Sequence, residues 1–264
     1  MKPTNDLSTY ANVLANLVWA VFVLLAVLEI VTFLWLFTPG QRSWLMSHVD
    51  VSGLDQVAKV AGFGALLTGL DAGLAFLIVT FRVHQIWDTY FVHWRSRYDA
   101  DFILPALLEP LTESVEPTVQ QAIRLRPNLA MEVLFYPFVA DDPPAVGKRL
   151  VERFHVAIML YWMSQYFVLT LFGAAITMLL LGIGDQSQGA DWTHMIPMIG
   201  IVTISGLLTH LATRRRILPR VQAATVGEIE KIHSDHLVKL ERNLTDLRGR
   251  LSRPASVLDD RFWG

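Results

Sequence analysis

The chain has 264 residues, 53% hydrophobic and 17% charged, with a formal net charge of −2 and no cysteine. Soluble domains carry about a quarter charged residues, so this deficit and a mean hydropathy of +0.39 point to the membrane class. The charge balance argues against a nucleic-acid binder, and the missing cysteines exclude disulfides and thiolate metal centres.

Four apolar runs, 13–38, 57–82, 155–183 and 193–213, are each long enough to cross a ~30 Å hydrocarbon core. The first is too long for a signal-peptide core and has no small-residue cleavage signal, which predicts a retained anchor. Arg82 to Arg153 and Arg214 to Arg261 hold nearly all the basic residues. Around the join of the first two runs only Arg42 and Lys59 occur, the latter at the very start of the second run, and between the last two there are none. Basic flanks stay on the cytoplasmic side. The expectation is an all-α polytopic protein of the inner membrane with four transmembrane helices and both termini cytosolic. Its segments are a first hairpin (1–82), a small helical cytosolic domain (83–150), a second hairpin (151–213) and a cytosolic tail helix (214–264).

Along the chain, the first helix is predicted to end near Thr38-Pro39-Gly40, and the outer segment to Gln56 carries Trp44 as an interfacial anchor. Ala61, Ala65, Gly69 and Gly73 recur every four residues in the second run, a spacing that lets helix backbones approach closely in lipid. Asp71 lies on the opposite side of that helix by the 100° period, and Glu29 sits in the first run. An ionised carboxylate at such depth is costly, so each either serves an ion or proton path or stays neutral and hydrogen-bonded to a neighbouring helix.

The second helix is expected to continue past Arg82. Trp87, Asp88, Trp94 and Arg95 then form a cytosolic mouth or partner contact, and the aromatic stripe from Trp87 to Tyr98 either lies at headgroup level or packs the inner domain. Prolines at 105, 110, 117, 127 and 137 cut the inner domain into short helices. A long helix is expected from about Ala145 into the third span. There Tyr166, Thr170, Gly173 and Thr177 share a face, as do Thr203, Gly206, His210 and Thr213 in the fourth. Such stripes line a wet pathway, or their hydroxyls bond the preceding turn of their own helix.

In the tail, Leu237, Leu240, Leu244, Leu247 and Leu251 follow a 3-4-3-4 spacing. That seam serves self-association or packs on the inner domain. Two Glu-x-x-His pairs, Glu152/His155 and Glu230/His233, have the spacing of carboxylate-bridged metal sites, but neither is assigned a metal. Arginine groups at 95 and 97, 124 and 126, and 214–216 mark topology, lipid headgroups or an anionic cytosolic ligand. No nucleophile triad, glycine-rich nucleotide loop or His-Glu-x-x-His motif is present, and no catalytic residue or cofactor is assigned.

Phe81-Arg82 followed by Trp87-Asp88 and Tyr90-Phe91 resembles the Phe-Arg…Tyr-Asp-x-Trp-Trp stretch of bestrophin-type anion channels. The acidic Pro-Phe-Gly segment of that family has no counterpart after the last span. Ile201-Val202-Thr203 with Gly206-Leu207 resembles the last span of the flagellar stator and TolQ/ExbB proton-channel family, whose glycine-threonine core is replaced here by Leu171-Phe172-Gly173-Ala174. Both resemblances imply an oligomeric ion conductor. The expected function is therefore an oligomeric channel or pore in the lipid bilayer. Asp71, Glu29, Thr170, Thr177, Thr203 and His210 are nearest the pathway, and Gly69, Gly73 and the leucine seam hold a homo-oligomer. The alternative is a membrane-anchored adaptor or sensor that recruits a cytosolic partner through its inner domain and tail.

Overall fold

A computed structural model of the chain describes residues 7, 9–36, 56–88, 94–141, 143–184 and 192–251. At 29–36, 56–67 and 180–184, and at scattered positions that include Arg95 and Thr177, only the backbone course is described. The predicted turn at 38–40, the outer segment with Trp44 and the loop before Trp192 lie outside the described residues.

The described chain is helical, with no strand among those residues. The long helices are α1 (Tyr10–Leu36), α2 (Gln56–Thr80), α9 (Lys148–Gly184) and α10 (Trp192–Ala212). Between α2 and α9 come α3 (Val83–Trp87), α4 (Trp94–Tyr98), α5 (Leu104–Leu108), α6 (Pro117–Leu125), α7 (Pro127–Leu134) and α8 (Tyr136–Val139). The chain ends with α11 (Leu218–Asp235) and α12 (Leu237–Leu251). Three helical stretches, Tyr10–Leu28, Lys148–Ile176 and Ile196–Asp235, are long and apolar enough to cross a membrane, and Thr68–Thr80 is a shorter apolar one. This is a helical membrane protein. The apolar part of the third stretch is α10. Its continuation, α11, carries Arg220, Glu228, Glu230, Lys231 and Asp235 and is too polar for lipid.

Two compact units divide the chain. The first contains 1–4, 13–84 and 159–215, which hold most of the apolar helices. Its inward rows recur every fourth residue: Val13, Leu17 and Val21 on α1, and Asp71, Ala75 and Val79 on α2. On α9 the buried set is Tyr161, Trp162, Gln165, Tyr166 and Val168. The Tyr166 hydroxyl donates to the Ile78 carbonyl at 3.5 Å, which ties α9 to α2. Gly206 brings α10 against Phe172 of α9, where an added Cβ would sit 3.5 Å from the ring. Outward, the same helices present Leu70, Phe76, Ile176, Ile201, Leu208 and other large apolar side chains. Such a surface is stable in hydrocarbon and not in water.

Helix α2 does not continue past Arg82. It ends at Thr80, and Phe81 and Arg82 form a turn in which Arg82 takes φ 52°, the left-handed region. The Arg82 N–H bonds back to Val79 at 3.0 Å, which closes the helix end. Neither glycine nor proline announces this stop.

The second unit contains 5–12, 85–158 and 216–264. Each of Pro105, Pro110, Pro117, Pro127 and Pro137 falls in the first turn of a short helix, where a missing N–H costs nothing. Gly147 has φ 94° in the turn before α9, a conformation that a side chain would strain. The core here is conventional: Ile103, Leu104 and Leu107 from the α5 region, Met131 and Leu134 from α7, Phe138 from α8, and Ile232, Leu240 and Leu247 from the tail are fully buried. Each such side chain stabilises the unit by about 1.5–3 kcal/mol relative to exposure to water.

The tail is not one straight helix. It breaks at His236 (φ −131°, ψ 16°), which redirects α12 so that it lies along α7. The His236 ring donates from Nε2 to the Ala145 carbonyl at 3.1 Å and packs on Phe138 with centroids 5.8 Å apart. Lys239 secures the start of α12 by donating to the Pro137 carbonyl at 3.2 Å, its Nζ 4.9 Å above the Phe138 ring.

Candidate functional site

Asp71 is the most unusual polar residue of the first unit. It lies in the apolar helix α2, is only 5% exposed, and its Oδ2 has no hydrogen-bond partner among the described residues. Its row continues through Ala75 and Val79 to the place where Tyr166 of α9 bonds Ile78, so the acid faces the inside of the helix packing. Gly69 and Gly73 lie on the other side, exposed, and a Cβ built on either meets no atom within 4 Å. Among the described residues nothing covers Gly69 and Gly73. The inward row of α2 is the Asp71 row instead.

The other pathway candidates lie on α1, α9 and α10. Thr170 donates to the Tyr166 carbonyl at 2.8 Å, so its hydroxyl is satisfied within α9. Thr209 on α10 and Thr213 just past its end do the same, each at 2.8 Å. Thr203 and His210 are half-buried on α10. The side chains of Glu29, Thr177 and Arg95 lie outside the described residues. Among the membrane acids described, Asp71 therefore stands alone as a buried carboxyl.

Trp87, Asp88 and Trp94 belong to the second unit. Asp88 is fully buried and engaged. Trp94, Tyr98 and Phe102 stack in sequence at 4.6 and 5.0 Å, and the Tyr98 hydroxyl donates to Thr225 Oγ1 at 3.0 Å. The lower part of the aromatic stripe thus packs the second unit rather than standing free.

The leucine seam is consumed in the same way. Leu240, Leu244 and Leu247 are buried against their own unit and Leu237 is half-buried, so no continuous apolar seam remains for a second copy. The physical reason is the His236 break, which lays α12 on α6 and α7.

Nor do the Glu-x-x-His pairs meet. His155 donates from Nδ1 to the Leu7 carbonyl at 2.6 Å, and His233 from Nε2 to the Leu107 carbonyl at 2.9 Å. Carbonyl oxygens only accept, so these ring nitrogens carry the proton. No group of three metal-donor side chains converges among the described residues.

One residue that sequence reasoning passed over is Glu228. It is 1% exposed on the inner face of α11, and neither Oε has a partner among the described residues. Burial pushes its carboxyl up to about 8. The signal was present: Val221, Thr225, Glu228 and Ile232 follow a 4-3-4 spacing, which places an acid in an otherwise uncharged row.

No curated protein and no solved structure matches the chain. One family model does, over residues 9–239, which takes in both units and most of the tail. The chain belongs to the YmfE protein family.

Proposed function

We propose that the protein is an oligomeric ion channel or pore of the inner membrane, with four spans, both termini cytosolic, and Asp71 on the conduction path. The observation that carries this reading is Asp71 itself. A carboxyl buried in an apolar helix with an unpartnered oxygen is expensive in a purely structural role. The fourth span is α2, whose 25 residues are sufficient in length. The open Gly69–Gly73 face of α2 supplies the surface on which copies associate. The orientation rests on the basic clusters at 82–153 and 214–216.

Purified protein in liposomes is expected to pass ions, and Asp71→Asn to change that flux. An ion-tight bilayer that holds folded protein overturns the reading.

One set of observations favours an adaptor anchored by its spans. The hydroxyls of Thr170, Thr209 and Thr213 are spent within their own helices, and the second unit has a complete core of its own. The same liposome experiment separates the two, because an adaptor leaves the bilayer tight.

A further inference from the structure

Helix α11 meets its unit through the row Val221, Thr225, Glu228, Ile229 and Ile232, all buried. On the adjacent side Gly227 faces α9, where an added Cβ would lie in ordinary van der Waals contact, 3.5 Å from Leu150. Glu228 is the one charged residue type in the row. The hydroxyl proton of Thr225, one turn away, is already given to the Val221 carbonyl at 3.1 Å, and that of Tyr98 is given to Thr225. Neither is left to solvate a carboxylate. An ionised Glu228 would be a buried charge without a donor, whereas the neutral acid is tolerated.

From this geometry we propose that Glu228 is a proton-operated latch: α11 and α12 dock while its carboxyl is neutral, and loss of the proton releases them.

Among the described residues, the charged and titratable groups on the elements around α11 are exposed or engaged elsewhere. Arg149 and Arg153 of α9, Arg220 and Glu230 of α11, and Glu241 and Arg242 of α12 are exposed. Asp99 is half-buried and engaged, and His155 donates to Leu7. Arg97 of α4 is exposed, and α5 carries none. Lys148 and Glu152 of α9 pair with each other at 3.9 Å, and Lys239 of α12 is bound to Pro137. On α11 itself Lys231 pairs with Asp235, and His233 donates to Leu107. Among the described residues none stands as a counter-ion to Glu228, and burial holds its proton.

The docked carboxyl titrates near 8 and a solvated one near 4.5. The docked form therefore retains a proton that the released form gives up. Docking is strongest below about pH 4.5 and weakens roughly tenfold per pH unit until about pH 8, then levels off.

Amide exchange across α11 and α12 in the full-length protein in detergent, corrected for intrinsic exchange, reads this directly. Wild-type protection should fall roughly tenfold per pH unit between pH 5 and 8, while Glu228→Gln stays flat. Wild-type protection that does not change with pH overturns the latch, as does a Glu228→Gln profile parallel to it. If Glu228→Gln does not fold, the wild-type protein decides alone. An infrared band of a neutral carboxylic acid that persists through pH 7, fades as the pH passes about 8 and is missing from Glu228→Gln supports the latch. A Glu228 carboxyl already ionised in the docked protein at pH 7 overturns it.

Discussion

The two units use the same secondary structure for opposite surroundings. In the first, large apolar side chains such as Leu208 and Ile201 face outward, while Asp71, Gln165 and Thr213 are turned in. In the second, Leu240, Phe138 and Ile232 are turned in, and arginines, lysines and acids line the outside. Burial of leucine drives folding only where the alternative is water; in lipid the alternative is equally apolar, and close packing with polar contacts has to suffice. The same residue type therefore carries different weight in each half of one chain.

Leucine substitutions give the sharpest way to break that contrast. Leu240→Ala, at a position 0% exposed, should destabilise the protein by about 2–5 kcal/mol. Leu208→Ala, at a position 61% exposed, should stay within about 0.5 kcal/mol. Thermal unfolding of both variants in detergent micelles compares them, and equal losses would dissolve the distinction.

A smaller effect is expected at His233, whose ring serves the Leu107 carbonyl across the second unit. His233→Ala should cost about 1–3 kcal/mol by leaving a buried acceptor unserved. Its amide exchange should quicken in α5 and α11 and stay unchanged in α10.

Smallest for the fold is Gly73→Ile, because no atom of the described residues lies within 4 Å of a Cβ there. Stability should hold within about 0.5 kcal/mol. Cross-linking in bilayers should nevertheless capture fewer oligomers; an unchanged cross-linked fraction would remove Gly73 from the contact between copies.

Much of the scaffold was legible because its signals are local. The apolar runs mark the long helices, and Pro105 through Pro137 each mark a helix start. The helical period alone put Asp71 opposite Gly69 and Gly73, and the structure keeps them there. What escaped depends on tertiary contact. Arg82 stops α2 through a backbone dihedral that no neighbouring residue type announces. His236 breaks the tail because Ala145 and Phe138, distant in sequence, receive its ring. The leucine spacing was visible, but the partner of that face was not: a 3-4 repeat describes a stripe and is silent on what covers it. Glu228 was hidden for a related reason, since its depth appears only once α11 is seen packed against its unit.

The imidazole contacts fasten the tail at two points, one just before its bend and one at it. His233 and His236 each spend an N–H on the carbonyl of a residue distant in sequence, Leu107 and Ala145. A carbonyl is something every residue carries, so what receives the tail is a course of main chain and not a particular pair of side chains. The fastening is specified by two histidines on the tail and by the path of the backbone they meet.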